Sequence, residues 1–233
     1  MKALVTGGTK GIGKAIVEKL LQLGHDVFFV ARTPQDIKEV TSQWKQQYPN
    51  RQVIGFSADL TQNSSIENIF RATEEVNFHP EIIVNNAGVY IPDNIDRIEK
   101  NIFQTTMALN LQAPVFLTQL YLPRLKQHKK GFIINICSVL SKSYRLEAAS
   151  YTISKHAFYT YSKMLAQQLR DYRIKVTSLL PGSVYTASWE ETEVNSRTLV
   201  QPGDIAQAVE LALNLSENTF LDEIIIQPTD KNY

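Results

Sequence analysis

The sequence has few of the features that are typical of metal-binding, disulfide-bonded, membrane-spanning or polyanion-binding proteins. Its single cysteine, Cys137, excludes an internal disulfide, and with only four histidines it argues against a structural zinc site. The 24 basic and 23 acidic side chains nearly cancel, which gives no electrostatic reason to expect nucleic acid or an anionic membrane as a partner. No apolar run approaches the ~20 residues of a membrane-spanning helix. A glycine-rich turn within seven residues of the start does not fit a signal peptide. We therefore expect a cytoplasmic globular protein.

What the sequence does contain is a regular alternation of apolar strands and amphipathic helices. Of its 233 residues, 43% are hydrophobic, which is enough for one sizeable core. Several strands are apolar throughout, as in a parallel sheet that is covered on both faces. We predict an α/β fold, a Rossmann-type doubly wound, seven-stranded parallel sheet with helices on both faces, in one domain over residues 1–233. The predicted strands are residues 2–6, 26–31, 52–58, 81–88, 131–138, 175–182 and 223–228.

Helices are predicted between these strands, and three of them carry local features. Pro34 suits the first turn of the second helix, and Ser64 with Glu67 makes a capping box for the third. Pro114 is expected to bend the long fourth helix. The predicted helices are residues 14–24, 34–48, 64–75, 98–128, 148–170 and 203–214.

Small and polar residues follow the ends of the predicted strands. In open parallel sheets ligands bind outside the carboxyl ends of the strands. Agreement among several strand ends carries more weight than any single motif, so these residues define the candidate site. They are Thr6 with Gly7, Arg32, Asp59, Asn85, Ser138, and Pro181 with Gly182.

Four glycines, Gly7, Gly8, Gly11 and Gly13, lie between the first strand and the first helix. They do not match the G-x-G-x-x-G pattern. Bare backbone at a helix N-terminus nevertheless lets a pyrophosphate approach the N–H groups and the positive end of the helix dipole. A turn that is merely tight is the alternative, but packing requires fewer glycines. The turn therefore predicts a dinucleotide site.

The residue after the second strand indicates which dinucleotide. An adenosine ribose diol calls for Asp or Glu at this position, whereas the chain has Arg32. A guanidinium is a planar cationic fork that suits a 2′-phosphate, and Lys10 in the glycine turn could add a second positive charge. The sequence therefore predicts NADP(H) rather than NAD(H), with an ordinary surface arginine as the alternative.

The stretch from Ser138 to Lys155 contains the candidate chemistry. Tyr151 precedes Lys155 by four residues, so both lie one turn apart on the same helical face. A lysine ammonium there would favour the tyrosinate and lower the pKa of Tyr151 from about 10. On any amphipathic helix the tyrosine of such a pair usually packs against the protein and the lysine is usually solvated. The pair alone therefore does not indicate catalysis, and that interpretation depends on the rest of the chain.

Together these residues resemble the short-chain dehydrogenase/reductase family over nearly the whole chain. The sequence TGGTKGIG (6–13) looks like the cofactor turn of that family, NNAG (85–88) like its sheet-stabilising turn, and PGSVYT (181–186) like its strand-six motif. Asp59 looks like the aspartate that contacts adenine. Asn110, Ser138, Tyr151 and Lys155 fall where the family has its four catalytic residues.

The resemblance implies a mechanism and a set of cofactor contacts. Hydride passes to a carbonyl carbon, Tyr151 protonates the developing oxyanion, and Ser138 hydrogen-bonds the same oxygen. Lys155 is expected to tune Tyr151 and bind the nicotinamide ribose, and Asn110 to hold a relay water. The expected cofactor-binding residues are Gly7, Thr9, Lys10, Gly11, Ile12, Gly13, Arg32, Thr33, Asp59, Leu60, Asn86, Ala87, Gly88, Tyr151, Lys155, Pro181, Gly182, Val184 and Thr186. No metal site is expected.

The substrate is less sharply indicated. The cofactor turn and catalytic set look most like 3-oxoacyl-acyl-carrier-protein reductases of fatty acid biosynthesis. A short lid (about 187–201) and the ending EIIIQPTDKNY look more like enzymes of small carbonyls or 3-hydroxy acids. A sensor of NADP(H) without turnover is a further alternative, against which the intact Tyr151 speaks. An epimerase or dehydratase would retain NAD(H), against which Arg32 speaks.

Three further expectations concern surfaces. If acyl carrier protein docks, Lys129, Lys130, Arg170 and Arg173 could form a basic patch beside the site, although solvated helix-end charges are the stronger interpretation. Trp189 in the lid could close over a substrate or simply pack. The family commonly pairs through the helices at 98–128 and 148–170, which implies a homodimer or homotetramer.

Overall fold

Seven parallel strands form one sheet in the order β3-β2-β1-β4-β5-β6-β7. The computed structural model describes residues 1–186 and 195–229. Every pairing between neighbouring strands is parallel. The predicted doubly wound α/β fold is therefore confirmed. The strands are β1 (Lys2–Thr6), β2 (Asp26–Ala31), β3 (Val53–Ser57), β4 (Ile82–Asn85), β5 (Gly131–Ile136), β6 (Ile174–Pro181) and β7 (Glu223–Ile226).

Helices connect the strands and cover both faces of the sheet. Within the described residues, no helix is both long and apolar enough to cross a membrane. The α-helices are α1 (Gly11–Gln22), α2 (Pro34–Gln47), α3 (Asn63–Glu75), α4 (Lys100–Met107), α5 (Ala113–His128), α6 (Ala149–Leu169) and α7 (Pro202–Asn214).

Successive side chains of a strand point to opposite faces of the sheet. Because helices cover both faces, both sets of side chains are buried. Val5 and Phe29 pack in the core under α1, α2 and α7, whereas Leu4 and Phe28 pack in the core under α3, α5 and α6. All four side chains are at most 1% exposed. Burial of each such side chain contributes roughly 1.5–3 kcal/mol, and this explains why the strand sequences are apolar throughout.

The strand order reverses next to β1, and this positions the site. β1 pairs with β2 on one side and with β4 on the other. The connections on the two sides of β1 therefore run in opposite directions, and a crevice opens at the carboxyl ends of β1 and β4. Such a switch point is where doubly wound sheets bind their ligands.

The long helical segment predicted over residues 98–128 contains an irregular turn close to Pro114. A π-helical turn at Ala108–Gln112 separates α4 from α5, and Pro114 lies in the first turn of α5. Hydrogen bonding continues between the two helices, since the Ala113 N–H donates to the Ala108 carbonyl. Pro114 has no N–H to donate to the carbonyl of Asn110, four residues earlier, and Asn110 lies within the irregular turn.

The capping box predicted from Ser64 and Glu67 was wrong. α3 begins at Asn63 after Gln62, whose side chain makes no capping hydrogen bond. A turn starts the helix earlier than the motif implies, because the Gln62 N–H donates to the Asp59 carbonyl (3.1 Å) and the Asp59 carboxylate accepts from the Thr61 N–H (3.0 Å).

Candidate active site

The glycine turn is held against the NNAG turn at the ends of β1 and β4. The Thr6 hydroxyl accepts hydrogen bonds from the N–H groups of Asn86 and Ala87, both at 3.0 Å. The Asn86 side chain donates to the carbonyls of Thr6 (2.8 Å) and Gly7 (3.2 Å). Two loops about 80 residues apart in sequence therefore form one surface. The role of Thr6 in this link is not readable from its position at the end of a strand.

The glycine turn leaves bare backbone at the N-terminus of α1. Gly7 and Gly11 have φ angles of +71° and +52°, in the left-handed region that favours glycine. A Cβ on Gly13 would lie 2.0 Å from the Gly7 carbonyl oxygen. Lys10 occupies the N-cap position without capping the helix through its side chain, which leaves first-turn N–H groups available to an anion. These residues fit a dinucleotide pyrophosphate.

The adenosine end of this crevice carries mixed charges. The Lys10 ammonium forms an ion pair with the Asp36 carboxylate at 2.8 Å, so its positive charge is already compensated. The pKa of Asp59 lies below its usual value because Thr61 donates backbone and side-chain hydrogen bonds to it, with a smaller contribution from the charge of Arg32. Arg32 is exposed at the end of β2. A cavity of about 460 Å³ lies between the glycine turn and α2, lined by Thr9, Lys10, Gly11, Lys14, Asp36, Glu39, Val40, Tyr185 and Thr186.

The other predicted cofactor contacts lie around this crevice in different environments. Ile12 is half-buried against the core and Leu60 is 8% exposed, so contacts from these two would come mainly from their backbone. Thr33 is the N-cap of α2. Pro181 ends β6, and the Gly182 N–H donates to the Ile226 carbonyl at 2.7 Å. Val184 is buried and pairs with Val200.

Ser138, Tyr151 and Lys155 converge at the carboxyl end of β5. Ser138 caps a short 3₁₀ turn at Val139–Ser141, where its Oγ accepts from the Leu140 N–H at 3.1 Å. Its side chain also lies close enough to the phenol of Tyr151 to lower the pKa of that phenol, and Tyr151 lies in the first turn of α6. The buried Lys155 ammonium donates to the Ile136 carbonyl at 2.9 Å and lies 5.7 Å from the centroid of the Tyr151 ring.

The expectation that Lys155 lowers the pKa of Tyr151 is wrong for this arrangement. The pKa of Tyr151 lies above its ordinary value because burial disfavours the phenolate, and the nearby Ser138 offsets this only in part. Burial also lowers the pKa of Lys155 by disfavouring its ammonium. The i,i+4 spacing is present, but the lysine directs its donor to the Ile136 carbonyl rather than to the phenol oxygen.

Asn110 lies in the π-helical turn with its side-chain amide fully engaged. Its Oδ1 accepts from the Val89 N–H (2.8 Å), and its Nδ2 donates to the Val89 carbonyl (2.9 Å) and to Ser154 Oγ (3.1 Å). Ser154 Oγ in turn donates to the Tyr151 carbonyl (2.7 Å). A π turn displaces the regular i→i−4 ladder and can free a backbone carbonyl, a feature frequent at functional sites. Asn110 therefore links the loop after β4 to the helix that carries Tyr151.

Gly88 keeps the space between these groups open. A Cβ on Gly88 would lie 3.2 Å from Asn110 Oδ1 and 3.6 Å from Lys155 Nζ. Asn110 and Lys155 are therefore in direct proximity to the NNAG turn.

Two residues near the catalytic groups were missed from the sequence. Tyr90 is 49% exposed, and its ring packs edge-on against Tyr151 with centroids 5.1 Å apart. Asp93, three positions further on, contacts the first turn of α6 through Ser150. Neither belongs to a motif, and the only available signal was their place in the loop after β4, beside the strand that leads to Ser138.

The structure supports the stronger interpretation of Lys129, Lys130, Arg170 and Arg173, as solvated charges near helix ends, because all four are exposed. Lys130 and Arg173 immediately precede β5 and β6, so they lie at the amino edge of the sheet, opposite the predicted catalytic residues. Arg170 is also paired with Asp222 at 2.9 Å. These charges do not flank the site. Trp189 and most of the predicted lid (187–194) lie outside the described residues; the described remainder begins with Asn195.

A doubly wound sheet with a glycine turn at its switch point defines the class of dinucleotide-binding α/β proteins. Residues 1–196 match the family model described as short chain dehydrogenase. The chain belongs to the short-chain dehydrogenase family of oxidoreductases. It is 32% identical over 226 residues to an uncharacterized oxidoreductase of Staphylococcus epidermidis, covering 97% of this chain and 96% of that protein.

Solved structures show the same architecture. A metagenomic short-chain oxidoreductase in complex with NADP has a TM-score of 0.84 and 27% identity, covering 99% of this chain and 98% of the other. L-sorbose reductase from Gluconobacter frateurii, complexed with NADPH and L-sorbose, has a TM-score of 0.89 over 97% of this chain and 95% of its own. At 20% identity the latter supports the fold alone.

Proposed function

We propose that the protein is an NADP(H)-dependent oxidoreductase that interconverts a carbonyl group and an alcohol. The observation that carries this proposal is the convergence of Ser138, Tyr151 and Lys155 beside a bare glycine turn. The binding of NADP by the metagenomic relative supports the choice of cofactor. When bound, the nicotinamide cofactor supplies or accepts the hydride.

The residues of the chain have distinct roles in this proposal. Tyr151 donates its phenolic proton to the substrate oxygen. Ser138 hydrogen-bonds the same oxygen as negative charge develops on it. Lys155 holds the cofactor ribose. A water molecule that is hydrogen-bonded to a backbone carbonyl of the π turn around Asn110 returns a proton to the Tyr151 oxygen.

The glycine turn binds the cofactor pyrophosphate in this proposal, and the other contacts surround it. Arg32 receives the 2′-phosphate. The Lys10–Asp36 ion pair must loosen before Lys10 can contribute. The remaining proposed contacts are Gly7, Thr9, Gly11, Ile12, Gly13, Thr33, Asp59, Leu60, Asn86, Ala87, Gly88, Pro181, Gly182, Val184 and Thr186.

Replacement of Arg32 tests the preference for NADP(H). In Arg32→Ala, the Kd for NADPH is expected to rise about 10- to 100-fold, because charge-assisted hydrogen bonds to the phosphate are lost. The Kd for NADH should stay within about two-fold, because NADH lacks that phosphate. Titration of cofactor fluorescence measures both constants. Arg71→Ala is the matched control, an exposed arginine on α3 paired with Glu67. Equal weakening of both cofactors would contradict the assignment.

Two classes of substrate are proposed. A 3-oxoacyl thioester is the first candidate, and small ketones or 3-hydroxy acids are the second. The case for acyl carrier protein is weaker, because Lys130 and Arg173 lie at the amino edge of the sheet and would not meet its acidic surface beside the site. Loss of NADPH absorbance with an acetoacetyl thioester, compared with a set of small ketones, tests both. Turnover of ketones alone would exclude the thioester, and turnover of neither would leave the alternative of a cofactor-binding sensor.

A homodimer or homotetramer of this single-domain chain is also proposed. Apolar side chains are exposed on α5 and α6, namely Phe116 (48%), Ile153 (39%) and Met164 (67%). Burial of such residues between chains would remove apolar surface from water. Light scattering after size-exclusion chromatography should give at least twice the mass of 26.4 kDa. Met164→Glu should reduce that mass, and a monomeric wild-type protein would contradict the proposal.

A further inference from the structure

The helix that carries Tyr151 begins without a cap of its own. α6 starts at Ala149, and its N-cap residue, Ala148, has no side-chain group that could accept a hydrogen bond. The first N–H groups of a helix have no intrahelical acceptor and need partners when they are buried. Ala149 and Ser150 are at most 4% exposed. Their N–H groups therefore require acceptors from elsewhere in the protein.

Asp93 supplies these acceptors from the loop after β4, 57 positions away in sequence. The Ser150 N–H donates to both oxygens of the Asp93 carboxylate, at 3.0 and 3.2 Å, and the Ser150 hydroxyl donates to Oδ2. The Ala149 N–H donates to the Asp93 carbonyl at 3.3 Å, and the Asp93 N–H donates to the Glu147 carbonyl at 3.3 Å. The carboxylate also places a negative charge at the positive end of the α6 dipole.

The same loop contacts the catalytic groups on either side of this cap. Val89 is bonded to Asn110 through both its N–H and its carbonyl, and Tyr90 packs edge-on against Tyr151. Tyr151 directly follows Ser150, so any movement of the first turn of α6 moves the phenol relative to Ser138. Displacement of a catalytic group by about 1 Å can cost on the order of 100-fold in rate.

We infer that Asp93 is a positioning residue for Tyr151, which it holds against Ser138 by capping the first turn of α6 from the loop after β4. This inference rests on the proposed function for its kinetic consequence, but not for its structural one. A role in stability alone would leave the catalytic rate of the folded molecules unchanged. The two roles therefore differ in what is measured per folded molecule.

The kinetic test compares Asp93→Ala and Asp93→Asn with wild type. Asp93→Ala is expected to lower kcat about 10- to 100-fold per folded molecule, with the Kd for NADPH within about two-fold, because the glycine turn is untouched. Asp93→Asn keeps an acceptor oxygen but loses the charge, so its kcat should fall between those of wild type and Asp93→Ala. Asp96→Ala, three positions further along the same exposed loop, is the matched control and should retain wild-type kcat. Wild-type kcat in both Asp93 variants would overturn the inference.

A second readout does not depend on turnover. With ¹³Cζ-labelled tyrosine, the Tyr151 resonance is assigned by its loss in Tyr151→Phe and followed with pH in cofactor-free protein. In wild type it should titrate above pH 10, since burial raises the pKa of Tyr151. Asp93→Ala should shift the resonance and its titration, whereas Asp96→Ala should not.

If wild type proves inactive on every carbonyl, the proposed function fails, and the Tyr151 resonance alone tests whether Asp93 positions Tyr151. An unmoved resonance overturns the inference, and if Asp93→Ala does not fold, Asp93→Asn gives the same comparison.

Discussion

Tyr151→Phe is expected to lower kcat for carbonyl reduction by about 10²–10⁴-fold, the range of a single general acid. The substitution removes only the hydroxyl, so the ring should keep its edge-on contact with Tyr90 and the lysine its bond to the Ile136 carbonyl. The Kd for NADPH should consequently remain within about two-fold of wild type. Stopped-flow loss of NADPH absorbance gives the rate, and fluorescence titration gives the Kd.

The matched control for this substitution is Tyr144→Phe. Tyr144 is 76% exposed and lies seven positions before Tyr151, so the same loss of a hydroxyl should leave kcat unchanged. A Tyr151→Phe variant with wild-type kcat would remove Tyr151 from the chemistry. A variant that loses NADPH binding as well as rate would show that the Tyr151 hydroxyl contributes to cofactor binding, as expected from the family resemblance, and would not isolate its role as the acid.

Gly13→Ala is expected to abolish cofactor binding. The new Cβ would lie 2.0 Å from the Gly7 carbonyl oxygen and 2.5 Å from Asn86 Nδ2. Neither neighbour can yield easily, because the oxygen is backbone and the amide links the glycine turn to the NNAG turn. The turn must therefore deform, and we expect the Kd for NADPH to rise by more than about 100-fold, which corresponds to about 2.7 kcal/mol.

Gly203→Ala is the matched control for that substitution. Gly203 lies in the first turn of α7, where an added Cβ would meet nothing within 4 Å. The same change there should leave NADPH binding intact and raise the free energy of unfolding by about 0.4–1 kcal/mol. Calorimetric titration with NADPH and thermal unfolding of both variants make the comparison. Tight NADPH binding by Gly13→Ala would contradict the placement of the pyrophosphate at this turn.

The fold was predictable from the sequence because its signals are local. Strands that are apolar throughout, such as those that contain Leu4–Val5 and Phe28–Phe29, indicate burial on both faces of the sheet. The turns between the elements show where strands and helices alternate. The i,i+4 spacing of Tyr151 and Lys155 likewise places both on one helix. The carboxyl ends of parallel strands share one edge of the sheet, so the meeting of Ser138 with the NNAG turn followed from the strand assignments.

The errors came from quantities that depend on the folded environment. Burial raises the pKa of Tyr151 and the nearby Ser138 lowers it in part, and neither influence can be read from the sequence. The partner of Lys155 is a backbone carbonyl, which no side-chain pattern reveals. Asp93 acts across 57 positions, so its link to α6 exists only in three dimensions.

The most direct test of the account is the transfer of deuterium to a carbonyl substrate from NADPH that carries deuterium at both C4 positions of the nicotinamide ring. The substrates are an acetoacetyl thioester and a set of small ketones, and the alcohol product is examined by mass spectrometry. We predict one deuterium on the carbinol carbon with wild type and a rate reduced by about 10²–10⁴-fold with Tyr151→Phe. Tight binding of NADPH with no deuterated alcohol from any carbonyl would contradict the account and favour a protein that senses the cofactor without turnover.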